Sequence, residues 1–382
     1  MACSHGVKDF VPLTGPFMGH QVFVDGPEYE TIAGCGSNLG IFDPFTILEI
    51  NFYCDNYGLD TISVGTSIAF VMECYEMGLI DQTHTGGLAL PFGHRANTLE
   101  LIHQMGQGDG FGEIVGKGIW RMKRIFATEY GADSRILEDI GMESKGLEFS
   151  EYMTKKSLAQ QGGYGLALKG PQHDEAWLFW IWCIFMPTFE QKAENLYWFP
   201  MWRTWFSLCG LCKLPWNDVI PEDNKDTPEL AKVMKHIGWY TEYFSAVTGR
   251  NSTPDDLITM SEAVYNFQRI FNLKMGFGRR EHDTLPHRAM GPVTEEEYES
   301  RKDRYDSQLK KTHGVGLAGK DTAEKVALLR TFREERYEKL KGVVYQRRGW
   351  TQDGIPTVAT VKRLGIDFPD VLKILKENGV TA

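Results

Sequence analysis

Apolar residues recur at helical spacing along most of the chain, and capping residues mark where the helices begin and end. Asp43 as N-cap and Pro44 in the first turn open "DPFTILEINFYCDNYG", which ends at Gly58. The next segment, "TISVGTSIAFVMECYEMG", is apolar and rich in small residues, and it ends at Gly78. We predict two consecutive helices here, the second suited to close packing.

The second half of the chain has the same pattern. Thr253 and Pro254 begin a predicted helix that ends before Gly276, and Thr294 with Glu297 has the spacing of a capping box. The segments "DTAEKVALLRTFREERYEKLKG" and "PDVLKILKENG" supply two further helices. These patterns predict a mainly α-helical protein with two lobes.

Glycine and proline divide the chain into three predicted parts. Residues 1–42 are rich in Gly, Pro and Asn and predict an entry loop with one short strand. We expect one helical domain over 43–200 and another over 201–382. The start "MACSHGVKDF" has no element leading into it, which we interpret as a chain that begins inside a loop of something longer.

Composition excludes several classes of function. The net charge of −10 and the isoelectric point near 5.6 argue against nucleic-acid binding, and the basic tract 301–347 alternates in sign. The most apolar run, "WLFWIWCIFMP", is too short to span a membrane and ends at Pro187. Seven scattered cysteines suit a reducing cytoplasm. We therefore expect a soluble cytoplasmic protein.

Two short motifs leave alternatives open. The glycine-rich stretch 106–118 resembles a phosphate loop, but it has no Lys-Ser/Thr and no preceding strand, so a turn between helices is the better interpretation. Cys209 and Cys212 in "SLCGLCKLPW" have the spacing of a metal site or a redox pair. They also suit two structural cysteines in a tight turn.

Several longer motifs occur in a fixed order. They include "GPEYETI", "DNYGLDTIS", "KGLE", "GLCK" and "RGW..DGIPT". Together they resemble the C-terminal two domains of the aldehyde:ferredoxin oxidoreductase family over nearly the whole chain. The resemblance implies tungsten, or molybdenum, held by two pterin dithiolenes beside a [4Fe-4S] cluster. It also implies that the family's N-terminal β-rich domain, the base for the pterins, is absent from this sequence.

The resemblance assigns pterin contacts to two related loops. The first, of the form DxxGLD, is intact, whereas the second has serine where the family has an acid. A hydroxyl accepts hydrogen bonds from a pterin more weakly than a carboxylate does, so one pterin is expected to be held differently. The implied contact residues are Asp55, Gly58, Leu59 and Asp60 in the first loop, and Ser207, Gly210 and Leu211 in the second.

The same resemblance makes Cys212 the last thiolate ligand of the cluster and gives Cys209 no role. Cys3 matches one cysteine of the family's CxxCxxxC loop, and Val7 stands where another is expected. A [4Fe-4S] cluster normally takes four protein ligands. We therefore expect a missing N-terminal domain or a separate subunit to supply the others.

Two residues match positions where the family has candidate proton-transfer residues. Glu30 in "PEYETI" matches its active-site glutamate, and His173 in "KGPQHDEAW" matches its active-site histidine. Tyr29 is a weaker candidate for orienting the substrate. Without the resemblance, these residues suit a solvated carboxylate, a structural histidine and a packed aromatic ring.

Glu49 and the Glu100–His103 pair fall near positions where some family members bind a single metal ion across a dimer interface. Glu and His at i and i+3 share one helix face and can reach one ion. Solvated helix residues are the competing interpretation. The family also favours a homodimer or a larger complex.

The "CKLPW" and "KGPQHDEAW" segments and Ser207 are closer to the tungsten-dependent class II benzoyl-CoA reductase subunit than to other family members. The leading hypothesis is thus an oxidoreductase subunit acting on a small aldehyde or an aromatic acyl-CoA, with ferredoxin or electron-transfer subunits as partners. The aromatic residues in 176–206 would line a substrate channel or form core. The alternative is a non-catalytic helical scaffold that has lost the cofactor.

Overall fold

The computed structural model describes residues 7–176, 178, 186–211 and 234–381, and it confirms a mainly α-helical protein. The strands are β1 Val7–Phe10, β2 Val22–Asp25, β3 Glu143–Ser144 and β4 Leu147–Glu148. The helices are α1 Tyr29–Cys35, α2 Pro44–Tyr57, α3 Thr61–Glu76, α4 Arg95–Gln107, α5 Gly110–Val115, α6 Ile119–Glu129, α7 Ser134–Ile140, α8 Leu158–Gly165, α9 Phe189–Leu208, α10 Met234–Thr248, α11 Pro254–Lys274, α12 His287–Met290, α13 Glu295–Glu299, α14 Lys302–His313, α15 Thr322–Arg348, α16 Val358–Arg363 and α17 Pro369–Glu377. Short 3₁₀ turns cover Ser37–Leu39 and Arg280–His282.

The described chain forms two compact units. The first contains the residues up to Met153 together with Leu285–Ser300, and the second contains Thr154–Thr284 and the residues from Arg301 onward. The predicted domain boundary at residue 200 falls inside α9, because this helix continues through Pro200. Both units are discontinuous in sequence, which the glycine and proline pattern did not reveal.

The predicted helix ends at α2 and α3 are confirmed. The Asp43 carboxylate accepts a hydrogen bond from the Thr46 N–H, and Pro44 occupies the first turn of α2. The segment before Asp43 is more ordered than the sequence indicated. It contains the antiparallel pair β1–β2, which aligns Phe10 with Val22, and helix α1.

Elsewhere in the chain two predictions need correction or refinement. The 106–118 stretch is a connection between helices as expected, but it also contains the short helix α5. The segment that begins at Thr294 forms two helices, α13 and α14. Thr294 accepts the Glu297 N–H, while Glu297 turns back to the Val293 N–H, so the capping box is only half formed.

The first unit buries a core between α2, α3, α4 and α6. Its fully buried side chains include Ile50, Ile68, Leu101 and Phe126. Where α1 crosses α3, Gly34 and Gly65 bring the two backbones together. A Cβ added at Gly65 would lie 2.6 Å from the Gly34 carbonyl carbon. This crossing sets the position of α1, which carries Glu30.

Replacing Gly65 with alanine is expected to lower the free energy of unfolding by about 1–3 kcal/mol, because the added methyl group overpacks a backbone contact. Gly238, inside α10, has no atom within 4 Å of an added Cβ. The control Gly238→Ala is expected to be stabilising by roughly 0.5–1 kcal/mol, since alanine favours the helix. Urea unfolding measures both changes, and equal effects would contradict the close crossing.

The second unit is built around α9, α11 and α15. The aromatic residues of α9 lie in its core, where Trp202 is fully buried and Trp198 and Trp205 pack against it. For the described part of 176–206, core packing is therefore the correct interpretation. None of the helices in the described residues is both long enough and apolar enough to cross a bilayer.

Candidate functional site

The loop that follows α2 carries the DxxGLD motif, and its backbone is a Schellman turn. Gly58 has a φ of 69°, its N–H donates to the Asp55 carbonyl, and the Leu59 N–H donates to the Cys54 carbonyl. Glycine is needed here because other residues rarely adopt a positive φ. The turn leaves Asp55 and Asp60 exposed to solvent.

The loop that follows α9 in the second unit repeats this geometry. Gly210 has a φ of 66°. Its N–H donates to the Ser207 carbonyl, and the Leu211 N–H donates to the Phe206 carbonyl. Ser207 thus occupies the position of Asp55, Gly210 that of Gly58 and Leu211 that of Leu59. The two loops match in backbone structure as well as in sequence.

Both loops lie at the carboxyl ends of helices, where unpaired carbonyl groups create a negative partial charge. In the first loop the Asp55 carboxylate adds to that charge, whereas Ser207 adds only a hydroxyl. A ligand that donates N–H groups suits such an environment. The first loop therefore has the greater capacity to accept hydrogen bonds.

The two acids of the first loop are placed differently. Asp60 is the N-cap of α3. Its carboxylate accepts hydrogen bonds from the Ile62 N–H at 3.3 Å, the Ser63 N–H at 3.4 Å and the Ser63 hydroxyl at 3.1 Å. Asp55 lies beside Asp25, the last residue of β2. Desolvation, followed by the charge and hydrogen bond of Asp25, raises the pKa of Asp55. Asp25 was not identified from the sequence, although it directly precedes the "GPEYE" motif.

Glu30 lies on α1 next to the start of α3. The hydroxyl groups of Thr31 and Thr61 are 2.9 Å apart and join the two helices. The Glu30 side chain is 3% exposed, so it is not a solvated loop carboxylate. Its Oε2 atom accepts a hydrogen bond of 2.8 Å from the backbone N–H of Glu151.

Glu151 is a site residue that the sequence did not indicate. Its Oε1 atom accepts hydrogen bonds from the Thr66 hydroxyl at 3.1 Å and from the Asn38 amide at 3.4 Å. Burial, with a smaller contribution from the Glu30 charge, raises the pKa of Glu151 to about 7. The only sequence signal was its place three residues after the "KGLE" motif.

Tyr29 borders these two acids. Its ring packs against Tyr152 with centroids 5.0 Å apart, yet 55% of the residue remains exposed. Desolvation and the charges of Glu30 and Glu151 raise its pKa, so the phenol stays protonated near neutral pH. Tyr29 is therefore both a packed aromatic and a hydrogen-bond donor at the edge of the site.

His173 lies in the second unit, within a loop that borders a cavity of about 520 Å³. The neighbours Asp174 and Glu175 line this cavity, as does Ser207. The structure thus brings the histidine loop and the second glycine loop to one cavity. The other lining residues are Leu168, Lys169, Arg203, Thr204, Tyr265, Phe267, Gln268, Phe271 and Asn272.

Glu175 in this cavity wall was not predicted. It accepts hydrogen bonds from the Leu168 N–H at 3.1 Å and the Tyr265 hydroxyl at 3.1 Å. Burial is the main cause of its raised pKa. These bonds hold the two ends of the 168–175 loop together and attach it to α11.

Glu49 and His103 are both bonded to Thr14. Glu49 Oε1 accepts the Leu13 N–H, the Thr14 N–H and the Thr14 hydroxyl at 3.0, 2.7 and 2.6 Å. His103 Nε2 and Nδ1 each lie 2.9 Å from a hydroxyl oxygen, of Thr14 and Tyr57 respectively. Desolvation lowers the pKa of His103 and favours the neutral ring. For a metal ion to bind both Glu49 and His103, the hydrogen bonds between Thr14 and these two side chains would have to break.

The proposed cluster ligands Cys3 and Cys212 lie outside the described residues. Among the described cysteines, Cys35, Cys54 and Cys74 are buried and Cys209 is exposed. Within the described ranges, no group of three or more His, Cys, Asp or Glu side chains comes together as a metal site. The cluster assignment therefore rests on the sequence resemblance.

A family model described as "Aldehyde ferredoxin oxidoreductase, domains 2 & 3" matches residues 1–366. The chain belongs to the aldehyde ferredoxin oxidoreductase family. The match covers both helical units, including the two glycine loops and the Glu30 and His173 segments. It confirms the assignment made from the ordered motifs.

Two curated relatives show what the chain is similar to. The chain is 28% identical over 362 residues to the tungsten-containing aldehyde ferredoxin oxidoreductase of Pyrococcus horikoshii, and it spans 49% of that protein. It is 29% identical over 166 residues to the aliphatic sulfonate oxidoreductase, WOR-like subunit, of Pyrococcus furiosus. The chain thus spans about half the length of the aldehyde oxidoreductases it matches.

A solved structure has the same fold. It is the active site complex BamBC of benzoyl coenzyme A reductase in complex with 1,5 dienoyl-CoA. The TM-score is 0.66 at 16% identity, over 95% of this chain and 52% of the matched chain. At this level of sequence identity, the similarity is evidence for a shared fold alone.

Proposed function

We propose that this chain is the helical part of a tungsten- or molybdenum-containing bis-pterin oxidoreductase. Its substrate is an aldehyde/carboxylate pair or an aromatic acyl-CoA, and a [4Fe-4S] cluster exchanges electrons with ferredoxin or an electron-transfer subunit. The observation that carries the proposal is the family match over both glycine loops, the first of which exposes Asp55 and Asp60 to solvent. A chain that had lost its cofactor has little reason to retain these two acids together with Glu30.

The residues fit such a cofactor. Asp55 and Asp60 present carboxylate oxygens to solvent at a helix end, which suits the amino and ring N–H groups of a pterin. Ser207, Gly210 and Leu211 provide the weaker second contact. When bound, the metal–pterin centre supplies two-electron redox chemistry.

Glu30 and His173 are the proposed general acid–base residues. Buried Glu30 is held by a backbone N–H, so its carboxyl group is fixed in position. His173 directly precedes Asp174, which lines the same cavity as Ser207. Reduction or oxidation of a carbonyl substrate requires proton transfer as electrons move, and a positioned acid and base provide it.

Replacing His173 with alanine is expected to leave the metal content unchanged and to lower turnover by about 100-fold or more, because a general acid–base group is lost. Metal analysis and steady-state kinetics of the assembled enzyme measure the two effects. Gln172→Ala, at the neighbouring position, is the matched control. Loss of metal in the His173 variant would make the residue structural.

Elemental analysis distinguishes the proposed enzyme from the alternative, a non-catalytic scaffold. The chain is purified anaerobically from its native host with the polypeptides that accompany it, and W, Mo and Fe are measured. Tungsten or molybdenum with iron supports the enzyme. Metal-free protein would support the scaffold.

A further inference from the structure

The first unit contains a second acid next to Glu30. The Glu30 carboxylate accepts a hydrogen bond from the backbone N–H of Glu151, so it lies next to the residue that bears the second carboxyl group. Glu30 is 3% exposed. The two acids come from positions 121 residues apart in the sequence. Such proximity is a product of the tertiary structure.

Packing fixes the Glu151 carboxyl group from several sides. It lies against Gly34 of α1, where an added Cβ would be 3.0 Å from Oε1 and 3.5 Å from Cδ. Thr66 of α3 and Asn38 of the 3₁₀ turn donate hydrogen bonds to the same oxygen. The absence of a side chain at Gly34 therefore gives this acid its space.

The titratable groups around Glu151 are mostly acidic. Glu30 and Tyr29 face it from α1, and Tyr152 follows it in the chain. Cys35, at the end of α1, is influenced by the charges of Glu151 and Asp60. Burial and the Glu30 charge raise the pKa of Glu151 to about 7, while the Thr66 hydrogen bond opposes the increase. The Glu30 charge therefore contributes to keeping Glu151 protonated.

We propose that Glu151 is the proton-holding partner of Glu30. Near neutral pH the Glu151 carboxyl group holds a proton beside Glu30. During turnover this proton moves to Glu30 and from there to the substrate, and Glu151 then takes one proton from solvent. This role rests on the proposed function, but the protonation of Glu151 does not.

A purely structural role for Glu151 predicts something different. In that case its carboxylate would only anchor the 150–152 segment to α3 through Thr66, and it would be ionised at neutral pH. Its titration would then be independent of Glu30. The distinction is therefore one of protonation, which can be measured on the chain without cofactor.

The test is a pH titration of the full chain labelled with ¹³C at the glutamate δ-carbons, followed by NMR. Among the carboxyl signals that titrate above the ordinary glutamate range, the wild type is expected to show one with a midpoint near pH 7, and Glu151→Gln removes that signal. Glu30→Gln lowers its midpoint by on the order of one pH unit, because a neighbouring negative charge is gone. The exposed control Glu113→Gln leaves it unchanged.

A midpoint in the ordinary glutamate range in the wild type, or one that Glu30→Gln does not move, would overturn the proposal. Should Glu151→Gln fail to fold, Thr66→Val serves instead. It removes a hydrogen bond that favours the charged form, so the midpoint is expected to rise. A midpoint that stays or falls in a folded Thr66→Val chain counts against the assignment.

Stability gives an independent measure. The pKa of Glu151 is raised in the folded state, so its stabilising contribution is complete below the usual glutamate pKa and is lost as the pH rises through about 7. The Tm of the wild type is expected to fall more between pH 5 and 8 than that of Glu151→Gln. Parallel Tm profiles would contradict the raised pKa.

The assembled enzyme separates this proposal from the proposed function. Glu151→Gln is expected to shift the pH–rate profile while metal content and substrate KM stay unchanged. If Glu151 titrates near pH 7 but Glu151→Gln leaves the pH–rate profile unaltered, Glu151 has no role in turnover. A chain that binds no metal yet titrates as expected leaves the carboxyl pair intact and rejects the proposed enzyme.

Discussion

Replacing Cys212 with alanine is expected to abolish incorporation of the [4Fe-4S] cluster. By its family resemblance Cys212 supplies one of about four protein ligands, and a cluster with one thiolate missing is not retained. Iron and sulfide analysis of the anaerobically purified complex measures the loss. The iron content is expected to fall from about four atoms per chain to background.

Cys209→Ala is the matched control, three residues earlier in the sequence. Cys209 is exposed after the end of α9, and the family resemblance gives it no role in the cluster. We expect this variant to keep its cluster, and equal loss of iron in both variants would overturn the assignment.

Replacing Arg269 with leucine is expected to lower the free energy of unfolding of the second unit by about 3–5 kcal/mol, because a buried charge is left without its partner. Arg269 Nη1 and Nη2 bind the Asp283 carboxylate at 3.0 and 2.7 Å, and both side chains are fully buried. The Tyr345 hydroxyl donates to the same carboxylate at 2.6 Å. Urea unfolding measures the change.

Lys373→Ala is the control for this variant. Lys373 and Glu377 form an exposed pair on α17 at 4.0 Å, so its loss costs at most about 0.5 kcal/mol. Destabilisation of similar size in both variants would contradict the importance of the buried pair. The buried pair also bears on function, because α11 carries Arg269 as well as the cavity residues Tyr265 and Asn272.

The buried ion pair joins distant parts of the second unit. Arg269 and Asp283 are 14 positions apart. The arginine also binds the Gly354 carbonyl at 2.9 Å. Arg269 thus joins three parts of the second unit.

The sequence by itself determined the class of fold, the start of several helices and the two glycine loops. These features depend on neighbouring residues. A cap such as Asp43 satisfies an N–H three positions away, and Gly58 or Gly210 adopts a positive φ with bonds to the preceding turn. Local chemistry of this kind can be interpreted from the order of residues alone.

Only the tertiary structure decided which distant residues meet. It placed Glu151 beside Glu30, Asp25 beside Asp55, and Thr14 between Glu49 and His103. It also extended α9 through Pro200, because burial of the flanking aromatic residues outweighs the broken hydrogen bond. Long-range packing determines which of these residues meet, and desolvation on burial shifts pKa values. Neither effect produces a periodic pattern in the sequence.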